Sequence, residues 1–253
     1  GGTIGLPAPH MDSLLKHFPR VVILTIDNRE DRRQQLAERM SSLFGSEPSW
    51  PVAQSDPASN PVRPPAVEWL RAVDGQDSPP PEWWWHNTPD KPGHGAWGCL
   101  HSHTRAVQDA SMDGLESILV LEDDVEFLDD AKERLDAFMA AVPDDWDQIY
   151  FGAQHQRVPL ETLTPGVMRC QNAHRTHCFA VRKKFYHRYL AHIWHAPDYQ
   201  GRPQSHIDHQ LGLLHTRQED LVYCPKWHLA GQRAGSSSIS AQIDPLRWWH
   251  PHN

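Results

Sequence analysis

The sequence has no apolar run near the roughly 18 residues that a membrane-spanning helix requires, so it is read as soluble. It is also poor in cysteine. Cys99, Cys170, Cys178 and Cys224 stand far apart with no CxxC pair, which argues against a zinc knuckle or a disulfide scaffold. No secretory signal precedes the first strand-like segment, so the expected home is a reducing cytoplasm, with at most peripheral contact with a membrane. Basic residues are in deficit, 24 Lys and Arg against 32 Asp and Glu for a net charge of −8, which disfavours a nucleic-acid partner. The same deficit leaves a phosphorylated substrate hard to hold unless a divalent cation comes with it. No internal repeat is present, and no HxxxH pair falls on a predicted helix, which counts against a histidine-based metal hydrolase despite 18 histidines.

What the chain does have is 39% apolar residues, ample for a core, arranged in alternating strand-like and helix-like segments. "VVILTI", Val21 to Ile26, is a β-rich run, and the following "DNREDRRQQLAERMSSLF" spaces Leu36, Met40 and Leu43 as an amphipathic helix. "VEWLRAVDG" reads as a strand ending in an Asp74-Gly75 turn, and "GAWGCLHSHTRAVQDASMDG" as a helix stopped at Gly114. Strand "SILVLEDDVEF", helix "DAKERLDAFMAAV", strand "DQIYFGA", strand-then-helix "THCFAVRKKFYHRYLAHIW", helix "IDHQLGLLHT" and a last strand "DLVYCP" complete the series. Proline-rich loops fill about 45–65 and 76–93. The alternation predicts one α/β domain over 1–253, with a core at about 20–240 and ragged ends at Gly1 to Phe18 and beyond about Ile243. Its Rossmann-like sheet is expected to be mostly parallel, flanked by helices, with ligands at the carboxyl ends of the strands.

One stretch demands a chemical reason. Ser117 to Phe127 carries Glu122, Asp123 and Asp124 in succession inside an apolar run, where unpaired like charges cost several kcal/mol each. If the strand continues through them, Glu122 and Asp124 share one face and Asp123 the other. Two carboxylates on one face form a hard-oxygen site for Mg²⁺ or Mn²⁺, which then bridges to phosphate. The plain alternative is a solvated acidic turn, while paired carboxyls for glycoside hydrolysis need a separation of about 5 Å or more that neighbouring residues do not readily give.

The ordered words "VVILTIDNREDRR", "RAVDG", "GAWGCLHSH", "ILVLEDDV", "DQIYFG" and "IDHQLG" resemble glycosyltransferase family 25, over roughly Val21 to Ile239. The resemblance implies a GT-A fold and an inverting transfer from a nucleotide sugar, usually a UDP-sugar, with galactose the foremost sugar. The acceptor that the resemblance implies is a hydroxyl of a glycan, such as a lipooligosaccharide, or of a hydroxylated peptide. A non-catalytic relative that binds glycans or a partner is the alternative. The sequence carries no signal for oligomeric state.

Carried over residue by residue, the family's acidic motif falls on Glu122, Asp123 and Asp124, with Glu122 and Asp124 as metal ligands and Asp123 on the donor side. Its first-strand word falls on Leu24, Thr25 and Ile26, then Asp27 and Arg32, although Thr25 replaces the usual Asn. Arg32 reads as a donor contact or as a surface partner of Glu30. Ala72, Val73, Asp74 and Gly75 match the family's "AVDG"; they would admit a flat base, or form an ordinary Asp-Gly turn. Gly98, Ser102 and His103 belong to the "GCLHSH" word, where Gly95 and Gly98 permit close approach to a helix N-terminus that favours an anion. His101 and His103 make a poor metal pair on a helix, and Cys99 reads as packing rather than as a nucleophile. Asp208 in "SHIDHQLG" is open to three readings: the base for the acceptor hydroxyl, an acceptor contact, or a helix cap. His228 is the candidate C-terminal metal ligand, and Gln232 with Ser237 or Ser238 the candidate phosphate contacts. The aromatic run Trp83 to Trp85 reads as a sugar-stacking or donor-covering loop or as one folded onto the sheet, and Trp248-Trp249 as a contact with a partner or a membrane surface.

Overall fold

The computed structural model describes residues 12–52, 63–80, 94–195 and 206–233. Its strands and helices run β1 (Arg20–Thr25), α1 (Glu30–Phe44), β2 (Ala66–Arg71), α2 (His94–Met112), β3 (Ser117–Glu122), β4 (Val125–Phe127), α3 (Ala131–Ala141) and β5 (Gln148–Tyr150). There follow β6 (Gln154–Arg157), β7 (Leu160–Glu161), β8 (Val167–Arg169), β9 (Asn172–His174), β10 (Cys178–Arg182), α4 (Lys183–His195), α5 (Ile207–Thr216), β11 (Val222–Pro225) and β12 (Ala230–Gln232).

The main sheet is ordered β2-β1-β3-β10-β5-β11-β8-β7. Strand β1 is parallel to β2 and β3, and β11 is parallel to β5, but β10 runs antiparallel between β3 and β5 and β8 runs against β11 and β7. The sheet is therefore mainly parallel, as expected, with β1, β2, β3, β5, β11 and β7 running one way and only β10 and β8 reversed among them. Alternation along the central strands explains the layers. Val21, Ile23, Leu119 and Leu121 point into a core shared with α1 and α3, whereas Val22, Leu24, Ile118 and Val120 point into a second core. That second core is closed by α2, α4 and α5 through Val107, Tyr189 and Leu211. Each fully buried aliphatic side chain contributes about 1.5–3 kcal/mol, so two-sided burial fixes the register of these strands.

Local signals end the helices where the sequence places them. Helix α1 opens with Glu30 and Asp31 against the positive end of its dipole, buries Leu36, Met40 and Phe44, and stops at Gly45 with φ 65°. Helix α2 stops before Gly114, also at φ 65°.

Four features differ from the sequence reading. The expected ragged end Gly1 to Phe18 is ordered in its later part: Leu14 and Phe18 are buried in the core, and Asp12 accepts the backbone N–H of Leu14 and Leu15. Within the first proline-rich loop, Ser49 bridges to Glu68 of β2. The short strands β6 to β9 carry too few apolar residues to register as strands in sequence. And β11 is not last, since β12 follows it and pairs antiparallel with β4. Among the described residues no helix is long and apolar enough to cross a membrane.

Candidate active site

The acidic triplet does not lie along one strand. Strand β3 ends at Glu122, Asp123 and Asp124 form a tight turn, and β4 leaves for a separate ladder with β12. The predicted split of faces therefore fails, and all three carboxylates border one cleft of about 140 Å³ at the carboxyl ends of β1 and β3. Each is held differently. Glu122 Oε2 accepts the Thr176 hydroxyl at 2.6 Å and lies 3.6 Å from His103 Nε2. Asp123 accepts the Thr25 hydroxyl at 2.8 Å and faces Arg32 at 3.5 Å. Asp124 Oδ2 accepts the Gln232 amide at 2.7 Å, whereas its Oδ1 is buried with no hydrogen-bond partner among the described residues. Burial first, and then the neighbouring Glu122 carboxylate, push the Asp124 carboxyl up to about 7.

The cleft wall opposite is made by the 72–75 loop and the start of α2. Ala72, Val73, Asp74 and Gly75 all border it, with Gly95, Gly98, Cys99, Ser102 and His103 facing them from the helix. Gly98 has a structural reason to be glycine: a Cβ there would sit 2.4 Å from the Val73 carbonyl oxygen. One turn on, Ser102 Oγ accepts the Val73 N–H at 2.8 Å and donates to the Gly98 carbonyl at 2.7 Å. The "GCLHSH" word thus clamps the "AVDG" loop onto the helix. Asp74 accepts the Gln76 N–H in an Asx turn and presents itself, exposed, at the rim. Burial, then Glu122, hold the Cys99 thiol well above its ordinary range, in keeping with a packing role.

From β1 and the turn after it, Thr25, Arg29 and Arg32 border the cleft. Arg32 faces Asp123, not Glu30. Asp27 turns away to an exposed ion pair with Arg71 at 2.8 Å, which removes it from the site. Arg29 was missed in sequence, although it lies in the same "DNREDRR" word; its Nε is buried and without a hydrogen-bond partner among the described residues.

The third side is reached through Arg175, also missed. Its φ of 75° is in the left-handed region, a cost of about 1–2 kcal/mol for a non-glycine residue. Contacts offset that cost: the guanidinium donates to Gln154 at 3.0 Å and to Gln232 at 2.9 Å, and the backbone N–H donates to Asp208 at 3.1 Å. Gln232 therefore braces Asp124 against Arg175. Asp208 is the second residue of α5 and does not cap it, since His206 occupies the cap position. Burial tends to raise the Asp208 carboxyl, but His209, His174 and the Arg175 N–H together bring it below its ordinary value. It lies outside the residues bordering the cleft but within electrostatic reach of Cys99.

His228 is not among the residues bordering the cleft. Its ring stacks on His155 at 5.8 Å, and burial, then His155, lower it to about 4. Ser237, Ser238, the Trp83–Trp85 run and Trp248-Trp249 lie outside the described residues.

Residues 18–196 match the family model described as glycosyltransferase family 25 (LPS biosynthesis protein). The chain belongs to glycosyltransferase family 25. The family match takes in the acidic turn, the 72–75 loop, α2 and β10, and ends before α5 and β12. The family-25 chain has an α/β arrangement, a mixed sheet flanked by helices with the acidic turn at its strand ends. Among solved structures it is similar to the mannose-1-phosphate geranyltransferase of Thermus thermophilus, with TM-score 0.40 and 15% identity over 81% of this chain and 72% of that one. It is also similar to a glycosyltransferase involved in the glycosylation of the major capsid of PBCV-1, with TM-score 0.35 and 11% identity over 70% and 67%. No curated protein matches the sequence.

A divalent cation suits this turn. A buried carboxylate oxygen without a donor, beside two further carboxylates, is a site short of positive charge, and oxygen ligands are what Mg²⁺ and Mn²⁺ take. Asp124 meets that description, with the Glu122 and Asp123 carboxylates on the same cleft, and His228 is not among the residues bordering it.

Proposed function

We propose that this family-25 chain is a metal-dependent inverting transferase that moves a sugar, galactose foremost, from a UDP-sugar to a hydroxyl of a glycan or hydroxylated peptide. The observation that carries the reading is the partnerless, buried oxygen of Asp124 at the turn shared with Glu122 and Asp123. Glu122 and Asp124 would hold Mn²⁺ or Mg²⁺, whose chemistry is to neutralise the donor diphosphate and stabilise it as a leaving group.

The chain's own groups divide the remaining work. Arg29 and Arg32 border the cleft from one side and offer guanidinium charge to phosphate oxygens, and the first turn of α2 at Gly95 offers a backbone N–H group. Ala72 to Gly75, clamped by Ser102, form the flat wall for the nucleotide base, and Asp74 at its rim accepts from base or ribose. Asp123 is braced by Thr25 and Arg32 on the donor side. Asp208, ionised at neutral pH, accepts the proton of the acceptor hydroxyl as it attacks the anomeric carbon. Gln232 and Arg175 are positioning residues, tying Asp124 and Asp208 to one brace.

The test is release of UDP from a panel of UDP-sugars with Mn²⁺ and glycan acceptors. Turnover of one sugar nucleotide, lost in Asp124→Asn, is the expected result. No turnover of any donor by folded protein contradicts the reading and favours a non-catalytic glycan-binding relative.

A further inference from the structure

Away from the cleft, His155, Cys170 and Cys224 bring their nitrogen and sulfur atoms within 4.8 Å of one another. They come from three places: His155 from β6, Cys170 from just after β8, and Cys224 from β11. Both cysteines are buried and free. We propose that these three side chains bind one zinc ion, which staples the small β6–β9 ladder to the edge of the main sheet.

The geometry favours a bridging ion over a disulfide. In the β8–β11 register Cys224 lies opposite Met168, and the Cys170 N–H bonds the Val222 carbonyl, so Cys170 and Cys224 are diagonal neighbours on one face. Such neighbours sit roughly 7–8 Å apart, beyond the usual Cα separation of a disulfide. A tetrahedral ion with Zn–S of about 2.3 Å and Zn–N of about 2.0–2.1 Å puts sulfur and nitrogen about 3.6 Å apart. His155 Nε2 lies 3.7 Å from Cys224 Sγ. Cys170 and His155 also favour the Cys224 thiolate, the form that ligates.

Charge and protons balance. Zn²⁺ displaces one proton from each thiol, and two thiolates with a neutral imidazole make an uncharged centre that can be buried without an unpaired ion. A water completes the fourth position of a three-ligand site. The consequence for the molecule lies one strand away, because β6 pairs with β9, and β9 leads into Arg175.

Elemental analysis of the untagged protein, with Co²⁺ replacement read by thiolate-to-cobalt absorption, tests this. About one zinc per chain and a Co²⁺–thiolate band are expected, absent in Cys224→Ser and retained in Asp124→Asn. Chelation should lower the melting temperature of wild type and leave Cys224→Ser unmoved. If Cys224→Ser does not fold, the band and stoichiometry of wild type decide alone. Two free thiols with no cobalt–thiolate band, or a Cys170–Cys224 disulfide found by mass spectrometry, overturns the proposal.

Discussion

Replacing Asp124 by Asn should stabilise the metal-free protein, by an amount that depends on pH. The Asp124 carboxyl is held up to about 7, against an ordinary value near 3.9. The folded state therefore binds this proton more tightly than the unfolded state does. The associated stability is complete below about pH 4, is lost as pH rises towards 7, and stays lost above. At about 1.36 kcal/mol per pH unit the full loss is at most about 4 kcal/mol, of which about 2–3 kcal/mol falls between pH 5 and pH 8. Asparagine keeps an oxygen for the Gln232 amide and places no charge beside Glu122. Urea unfolding in EDTA should show Asp124→Asn gaining on wild type by about 2–3 kcal/mol from pH 5 to pH 8. Added Mn²⁺ should then reverse the order, stabilising wild type alone, because a ligand specific to the folded state raises its stability. A gap that does not change with pH would refute the reasoning.

Other substitutions probe the walls of the cleft. Gly98→Ala places a methyl group 2.4 Å from the Val73 carbonyl and should cost about 1–3 kcal/mol in urea while weakening UDP binding. Gly152→Ala, whose Cβ would meet the Ala230 carbonyl at 1.9 Å, should displace β12 and cost more than Gly114→Ala, where only the left-handed backbone is at stake at about 1 kcal/mol; their unfolding midpoints rank them. Asp208→Asn should lower kcat by about 10²–10⁴-fold with little change in donor KM. Because the wild-type carboxyl lies below its ordinary value, the acid limb of the rate profile should lie below the usual carboxylate range. Arg29→Ala should weaken UDP binding about tenfold in calorimetry without lowering stability, since its buried Nε has no hydrogen-bond partner to lose.

The elements most legible in the sequence are those whose burial is periodic. Leu36 and Met40 mark α1, where Phe44 rather than the expected Leu43 completes the buried stripe, and the runs of β1 and β3 mark strands buried on both faces. The acidic turn was legible as a word but not as a shape, because strand alternation cannot announce that the chain turns after Glu122. Polar β6 and three-residue β12 have no periodicity to read, so Gln232 appeared as a phosphate contact and not as the brace of Asp124. Gly98 was legible as a close approach, and the backbone it meets is that of Val73, which the sequence could not name. Arg175 and Thr176 gave no signal, since a left-handed arginine and a lone threonine look like any loop until β10 brings them beside Glu122 and Asp208.

The central claim is that Glu122 and Asp124 present a divalent cation to a nucleotide diphosphate, and calorimetric titration of UDP into the protein tests it most directly. Binding that requires Mn²⁺, disappears in EDTA and is lost in Asp124→Asn is what the account predicts. UDP that binds equally well in EDTA, or equally well to Asp124→Asn, would contradict it.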